Sequence, residues 1–441
     1  NPHSGGSHLP DLTVIAPVFG GNERPIFYTA SRGHHADIGG TTPGSMPPFA
    51  EAIHEEGVVI DNFLLVEDGK LRLSALRTLL SSTDFPARNI DERIADTKAQ
   101  IAAVNQGIIE VERLIEKYEE ETVHAYMDHI RDNAAESMRS ALANYLNDRE
   151  SLTLEFSDNL DSGDIISVKI SLEKGENPPH TCKAVVDFTG TSPQMKGNLN
   201  APAAVTKAAV LYVFRLMIDE EIPLNSGCLE PIEIIIPEGC LLMPDDSAAV
   251  VGGNVETSQR ITDVLIGALG LAGASQGTMN NFLFGAEDGS GKQYYETIAG
   301  GSGATNGYPG ASAVQVHMTN TRATDPEVLE LRHHEIRLEQ FAIRKGSGGD
   351  GLFRGGDGTV REVRFLDRRK ISILSERRNY RPYGMSNGAP GMTGRNKLIT
   401  SLGEEEVLAN KVERIVESGE RIIIETPGGG GYGRPLENQE K

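Results

Sequence analysis

The chain has 441 residues, of which 63 are acidic and 42 are basic, and its formal net charge at pH 7 is −21. This balance argues against nucleic acid or an anionic membrane surface as a partner, since both attract basic patches. No apolar run reaches the length of a membrane span and no signal peptide is recognisable, while the three scattered cysteines indicate neither a disulfide framework nor a cysteine zinc site. These features predict a cytoplasmic protein of two to three domains.

Two copies of a His-x-x-Asp pattern flank a predicted β-hairpin near the start of the chain. The patterns are His8–Asp11 and His34–Asp37, and the apolar runs Leu12–Phe19 and Pro25–Ala30 lie between them, separated by the turn signal Gly20-Gly21-Asn22. A hairpin returns the second pattern beside the first, so imidazole and carboxylate groups converge. Such ligands suit zinc, manganese or iron, which lower the pKa of bound water and supply hydroxide near neutral pH.

A structural interpretation of the same residues remains open. His8 and Asp11 stand beside Pro10 and are also typical of a turn. His35 is equally compatible with a core histidine whose ring is satisfied by a backbone carbonyl. The spacing alone does not separate these alternatives.

The next segments change from short elements to long helices. Glu51–Glu56 predicts a short acidic helix ended by Gly57, in which His54, Glu55 and Glu56 form a solvated face rather than extra ligands; Val58–Val66 predicts a strand. From residue 90 to 148, apolar residues recur three, four or seven apart. This period predicts two long amphipathic helices joined near Glu119–Glu121, a helical hairpin or two-helix arm suited to packing or subunit contact.

From residue 151 the pattern returns to β-structure with one buried helix. Strands are predicted at Ile165–Ile170, Ala184–Phe188 and Ile232–Ile236, and the apolar stretch Ala203–Ile218 predicts a helix.

The stretch Val250–Ser258 predicts a strand and glycine turn followed by a helix over Gln259–Ala272, capped by Thr257 or Ser258. This arrangement is typical of anion sites, although it contains neither a Walker A loop nor Gly-x-Gly-x-x-Gly. Asn254 and Arg260 are the candidate substrate-binding residues, because an amide donates to a carbonyl or oxyanion and a guanidinium grips a carboxylate with two hydrogen bonds. The alternative is a tight turn with an ordinary cap.

The last hundred residues are rich in glycine and then in β-branched residues. Gly346–Gly358 predicts a turn-dense connector, and the tail Pro427–Gly433 is flexible unless it docks. The strands of a small all-β module are predicted at Thr359–Leu366, Lys370–Leu374, Lys397–Thr400 and Arg421–Glu425. The whole chain is predicted to be an α+β protein of four segments: a metal-binding β-rich segment (1–88), a helical hairpin (89–150), an α+β substrate lobe (151–345) and the connector with its β module (346–441).

Several of these segments resemble one known family. SRGHHADIGGTTPGSMPP and the preceding GGSHLPD resemble the hydantoinase B/oxoprolinase family, as do further segments from EIPLNSGCLEPIEIIIPEG to TPGGGGYG, in order. Within it, the chain is most similar to the C-terminal part of ATP-dependent 5-oxoprolinases, so we expect it to be a piece of a longer polypeptide. The resemblance implies a metal held by His8, Asp11 and His34, with a further, upstream Asp that has no counterpart here. His35 and Asp37 are then expected as catalytic residues that orient a ligand or shuttle protons.

The resemblance also implies an activity. The chain is expected to be the hydrolytic half of an enzyme that opens 5-oxo-L-proline to L-glutamate, while a hydantoinase A-like half binds ATP and Mg²⁺ and phosphorylates the amide oxygen. The enzyme is expected to be an oligomer. Two alternatives remain open: a hydantoinase B or acetone-carboxylase-like subunit with another substrate, and a non-catalytic assembly scaffold.

Overall fold

The predicted N-terminal hairpin is present, and its base reaches both His-x-x-Asp patterns. In the computed structural model, which describes residues 1–21, 24–287 and 293–435, β1 (Asp11–Phe19) pairs antiparallel with β2 (Pro25–His34). Asp11 lies directly opposite His34 in this register. The predicted turn residue Asn22 lies outside the described residues. Because side chains alternate along a strand, one face of the hairpin packs inward, whereas Ile15 and Tyr28 of the other face are exposed.

Short elements follow the hairpin, and two predictions for them were wrong. The acidic helix α1 (Ile53–Glu56) is present and ends at Gly57, but Glu56 is fully buried rather than part of a solvated face. The apolar run Val58–Val66 forms no strand until its last residue, because its side chains pack into a local cluster instead of pairing. The chain continues through β3 (Val66–Glu67), β4 (Lys70–Leu71) and α2 (Leu73–Ser81).

Two long helices then form the predicted pair. They are α3 (Ile90–Tyr118) and α4 (Glu120–Leu146), joined at Glu119, whose backbone has a positive φ of 68°. The buried residues of α3 lie between Arg93 and Val104, against the hairpin, and those of α4 between Ala134 and Leu146, in the next core. All residues from 105 to 133 remain at least partly exposed. The pair is therefore an arm whose two ends pack against different parts of the protein.

A four-stranded sheet with two helices forms the largest core. The strands are β5 (Ser151–Asn159), β6 (Ile165–Glu173), β7 (Lys183–Asp187) and β8 (Ile232–Ile235), in the order β5-β6-β7-β8. The predicted apolar helix is α5 (Ala203–Arg215), and α6 (Ser258–Ala268) packs between α5 and the strands β5 and β6. Every residue of α6 is buried, including the polar residues Gln259, Arg260 and Asp263.

The remaining strands form two sheets that are built from both sides of residue 345. The elements are β9 (Asn281–Gly285), β10 (Tyr294–Glu296), α7 (Pro326–Arg332), β11 (Ile336–Arg344), β12 (Gly358–Phe365), β13 (Arg369–Leu374), β14 (Arg395–Ile399), β15 (Glu405–Leu408), β16 (Lys411–Val416) and β17 (Arg421–Glu425). The sheets have the orders β10-β9-β13-β16 and β11-β12-β17-β14-β15. All four strands predicted after residue 358 are present, but two of them, β12 and β13, also pair with β11 and β9, which precede the predicted module.

The glycine-rich segments pack backbone against backbone instead of forming a loose connector. A Cβ on Gly301 would lie 2.0 Å from the carbonyl oxygen of Gly356, and one on Gly355 would lie 2.1 Å from that of Gly429. Glycine is needed there because any side chain would separate the segments. The tail from Pro427 to Gly431 is buried between its neighbours, so it is docked. The mixed architecture confirms the predicted α+β class, and within the described residues no helix is long and apolar enough to cross a membrane.

Candidate metal centre

Three predicted ligands converge at the base of the hairpin. Asp11 opens β1 and His34 closes β2, so the register places both on one face of the ladder. His8 lies in the turn just before β1, where its carbonyl oxygen accepts a hydrogen bond from the Asp11 amide at 3.2 Å. One ligand atom from each of the three side chains lies within 4.8 Å of the other two. The local fold therefore brings together two imidazoles and one carboxylate that all come from residues 8 to 34.

The carboxylate of Asp11 lies between the two imidazoles. Its Oδ2 is 3.1 Å from His8 Nδ1 and its Oδ1 is 3.1 Å from His34 Nδ1, while Ser7 Oγ donates to Oδ2 at 2.8 Å. Burial alone raises the pKa of Asp11, but hydrogen bonds from His34, His8 and Ser7 outweigh it and hold that pKa well below its usual range. Asp11 is therefore a permanent negative charge at the centre of the cluster.

The two imidazoles differ in their exposure. His8 is buried, and burial lowers its pKa despite the hydrogen bond that it donates to Asp11, so it is neutral near pH 7. The side chain of His34 is 38% exposed, which makes it the open side of the centre. Neutral imidazole and ionised carboxylate are the forms that bind metals, and this donor set suits a divalent transition metal. The residues present thus fit the group that the sequence predicted.

Asn254 reaches the centre from a different element than predicted. Its Nδ2 lies 3.5 Å from His8 Nε2. The residues Gly253–Thr257 form a π-helical turn that continues into α6, and Gly252 already has helical dihedrals. The predicted turn with a Thr257 or Ser258 cap was wrong, as was its free helix N-terminus. The glycine is required by packing, because a Cβ on Gly253 would lie 1.9 Å from the Asn200 carbonyl oxygen. Such π-helical turns are frequent at functional sites.

His35 points away from the ligands and joins the hairpin to α3. Its Nε2 lies 3.0 Å from Gln100 Oε1, and the Gln100 amide nitrogen donates to the carbonyl oxygens of Leu12 at 2.8 Å and Ser31 at 3.0 Å. Because that nitrogen is the donor, Gln100 Oε1 accepts and His35 Nε2 carries the proton. A Cβ at position 33 would lie 3.2 Å from the Gln100 amide, so any side chain there would require Gln100 to shift by a few tenths of an ångström.

Asp37 organises the loop that follows the hairpin. Its carboxylate accepts from the backbone amides of Gly39 at 2.9 Å, Gly44 at 3.1 Å and Arg88 at 2.8 Å, and it also forms an ion pair with the Arg88 guanidinium at 3.0 Å. Four donors saturate the two oxygens, so this geometry describes a buried anchor. The Asp37 carboxylate therefore has no free lone pair with which to accept a proton from another group.

Arg260 lies in an internal ion network and is fully buried. Its nitrogens are 3.7 Å from Asp158 Oδ2 and 3.7 Å from Glu376 Oε2. Burial lowers the pKa of Arg260 and raises that of Glu376 to about 7. The guanidinium is therefore unavailable to a substrate that arrives from solvent, which differs from its predicted role.

One aromatic residue that sequence reasoning left without a role lies beside the ligands. The ring centroid of Tyr295, on β10, is 6.0 Å from that of His34. The Tyr294-Tyr295 pair was visible in the sequence, and strand alternation puts the two rings on opposite faces. No local signal connects β10 to a hairpin more than 250 residues away, so the contact was not predictable.

Comparisons with known proteins found related sequences and structures over nearly the whole chain. A family model described as hydantoinase B/oxoprolinase matches residues 1–435. The chain is 48% identical to 5-oxoprolinase 1 of Arabidopsis thaliana and 46% identical to 5-oxoprolinase of Dictyostelium discoideum, over 98% of its own length in both cases. It spans only 35% and 33% of those proteins, or about a third of each. Among solved structures, the ATP-dependent caprolactamase from Pseudomonas jessenii has the same fold, with a TM-score of 0.83 and 23% identity over 99% of this chain and 77% of that chain.

Proposed function

The chain belongs to the hydantoinase B/oxoprolinase family, and from this premise we propose that it is the hydrolytic part of an ATP-dependent enzyme that opens 5-oxo-L-proline to L-glutamate. The observation that carries the proposal is the convergence of His8, Asp11 and His34 at the open base of the hairpin. The relatives of the chain that are named 5-oxoprolinases support the choice of substrate.

The need for ATP follows from the chemistry of the substrate. A five-membered lactam is a poor electrophile, because amide resonance stabilises its carbonyl group. Phosphorylation of the amide oxygen removes that resonance and makes the carbon open to attack by water. This chain has no Gly-Lys-Ser/Thr phosphate loop. We therefore assign ATP and Mg²⁺ to a hydantoinase A-like partner, which corresponds to part of the remaining two thirds of the longer relatives.

Each residue of the centre has a distinct task in this proposal. His8, Asp11 and His34 would hold a zinc, manganese or iron ion, which supplies a Lewis acid for activating water and polarising a carbonyl oxygen. Asp11 balances part of the cation's charge, and burial keeps His8 neutral and available as a ligand. The amide of Asn254, beside His8, donates a hydrogen bond to the substrate oxygen as negative charge develops on it.

The two further predicted catalytic residues act through their neighbours. His35 holds the base of the hairpin against α3 through Gln100, and Asp37 holds the following loop through backbone amides. Both are positioning residues, since neither faces the three ligand atoms. Arg260 has no direct task because it is buried among carboxylates.

The decisive experiment combines the chain with its ATP-binding part and measures release of glutamate and phosphate from 5-oxoproline. Asp11→Asn keeps the size of the side chain and removes its charge, so we expect hydrolysis to be abolished while the melting temperature changes little. Asp219→Asn, at an exposed position, is the matched control and should be fully active. Normal glutamate release by Asp11→Asn would refute the ligand role. Turnover of hydantoin in place of 5-oxoproline would favour a hydantoinase B-type substrate.

A further inference from the structure

Two neighbouring tyrosines of β10 serve different parts of the protein. The Tyr294 ring packs against Phe284 at a centroid distance of 4.7 Å and against His333 at 5.1 Å, within the C-terminal core. Tyr295 lies on the opposite face and packs with the apolar cluster that contains Met46 and Val255. Its ring is tilted by 36° to that of His34. The separation of these two rings falls in the normal range for aromatic pairs.

A chain of buried hydrogen bonds holds the Tyr295 hydroxyl in place. This hydroxyl donates to Asn281 Oδ1 at 2.8 Å. Asn281 Nδ2 in turn donates to Glu256 Oε1 and to the carbonyl oxygen of Leu374, both at 2.7 Å. These two acceptors fix the orientation of the amide, so its Oδ1 must face the tyrosine. Glu256 is also held, because its Oε1 accepts from the Met279 amide at 3.0 Å.

The orientation of the His34 ring depends on its neighbours. The torsion that rotates a histidine ring has broad, roughly two-fold preferences, so the backbone alone does not decide whether Nδ1 or the carbon Cδ2 faces Asp11. A half-turn would take Nδ1 away from the Asp11 carboxylate, which now lies 3.1 Å from it. The ring is also partly exposed at 38% of its side-chain surface, so solvent does not restrict it. The rigid Tyr295 ring on one side restricts the rotation of the imidazole.

We propose that Tyr295, held by Asn281 and Glu256, is a positioning residue that keeps His34 Nδ1 directed at the ligand cluster. The proposal rests on the proposed metal-dependent function, since a fixed imidazole matters there for binding the ion. Groups that orient metal ligands typically affect metal affinity by about 10–100-fold when they are removed. Tyr295 acts on the ligand and needs no contact with the substrate.

The test compares variants of the two tyrosines. Tyr295→Leu removes the aromatic ring, Tyr295→Phe keeps the ring without its hydroxyl, and Tyr294→Leu is a matched control on the same strand. Zinc affinity is measured by competition with a chelator. We expect Tyr295→Leu to bind zinc about 10–100-fold more weakly than the wild type, and we expect Tyr295→Phe to recover most of the loss. Tyr294→Leu should bind as the wild type does, even if its melting temperature falls.

A second measurement works without metal. Nitrogen-15 spectra of histidine-labelled protein report which ring nitrogen of His34 carries the proton. Asp11 only accepts hydrogen bonds, so the wild type should show His34 protonated at Nδ1, whereas Tyr295→Leu should show a mixture of both forms. An unchanged tautomer together with unchanged zinc affinity in Tyr295→Leu would overturn the proposal. Failure of the wild type to bind any of zinc, manganese and iron would instead refute the proposed metal-dependent function, and the tautomer would still decide the positioning role.

Discussion

The buried carboxyl group of Glu56 gives a sharp test of the electrostatics around the candidate site. Glu56 is fully buried, and its Oε1 accepts from the Val251 amide at 2.9 Å, just before the π-helical turn that carries Asn254. Its Oε2 has no hydrogen-bond partner among the described residues. Burial raises the pKa of Glu56 from 4.5 to about 8, although the bond from Val251 and the charge of Lys411 lower it in part. Glu56 is therefore protonated in the folded protein near pH 7.

The raised pKa of Glu56 makes the stability of the fold decrease as the pH rises. A carboxyl group whose pKa is higher in the folded than in the unfolded chain stabilises the fold fully below the unfolded value, and this contribution is lost as the pH rises through the folded value. For Glu56 the window runs from pH 4.5 to about 8. At 1.36 kcal/mol per pKa unit, three units between pH 5 and 8 correspond to a loss on the order of 4 kcal/mol.

Glu56→Gln should remove this dependence. Glutamine keeps an oxygen for the Val251 amide and never ionises, so the variant should be near wild type at pH 5 and more stable than the wild type at pH 9. The assay is the urea midpoint at pH 5, 7 and 9, with a chelator present so that metal binding does not contribute. Glu55→Gln is the matched control, because Glu55 lies on the same helix and accepts from the Glu51 amide at 2.7 Å without being buried. Curves of the wild type and Glu56→Gln that stay parallel would refute the reasoning.

Three further outcomes are expected. The full enzyme should contain one transition metal per chain, and the double variant His8→Ala, His34→Ala should lose it in elemental analysis; unchanged content would remove the metal hypothesis. Asn254→Ala should lower kcat on the order of 10²-fold, the usual effect of removing one donor to a developing oxyanion, with metal content unchanged; a normal kcat would exclude this role. This chain alone should neither bind ATP tightly in calorimetry nor release glutamate from 5-oxoproline, because the lactam stays unactivated; turnover without ATP would contradict the proposed division of labour.

The convergence of the two His-x-x-Asp patterns was predictable because its information is local, whereas the choice of His8, Asp11 and His34 as ligands came from the resemblance to the family. The hairpin follows from two apolar runs, and its register brings Asp11 opposite His34. The roles of His35 and Asp37 were harder to predict, since Asp37 ends the second His-x-x-Asp pattern and His35 directly follows its first residue, His34. Residues 34 and 35 point to opposite faces of the chain there, so His35 meets Gln100 instead of the ligands.

The glycines near residue 252 show why a local signal failed elsewhere. Two successive glycines normally predict a turn, but here they lie in a helical segment that packs directly on the backbone of Asn198 and Asn200. Tertiary packing overrode propensity, at a cost of about 1 kcal/mol per helical glycine. The sequence carries the glycine but not the partner segment that makes it necessary, so a turn and a tightly packed π-helical turn look alike.

The candidate centre is built by a local hairpin together with distant segments that pack on it. The donors come from one hairpin, but the groups that hold them come from distant segments: Gln100 on α3, Asn254 before α6, and Tyr295 on β10 with Asn281 on β9 behind it. A two-stranded hairpin is only marginally stable by itself, so its ligand geometry depends on those contacts. Metal affinity should therefore be sensitive to packing far from the ligands in sequence. The site belongs to the folded chain as a whole, although its ligands span only 27 residues of the sequence, from His8 to His34.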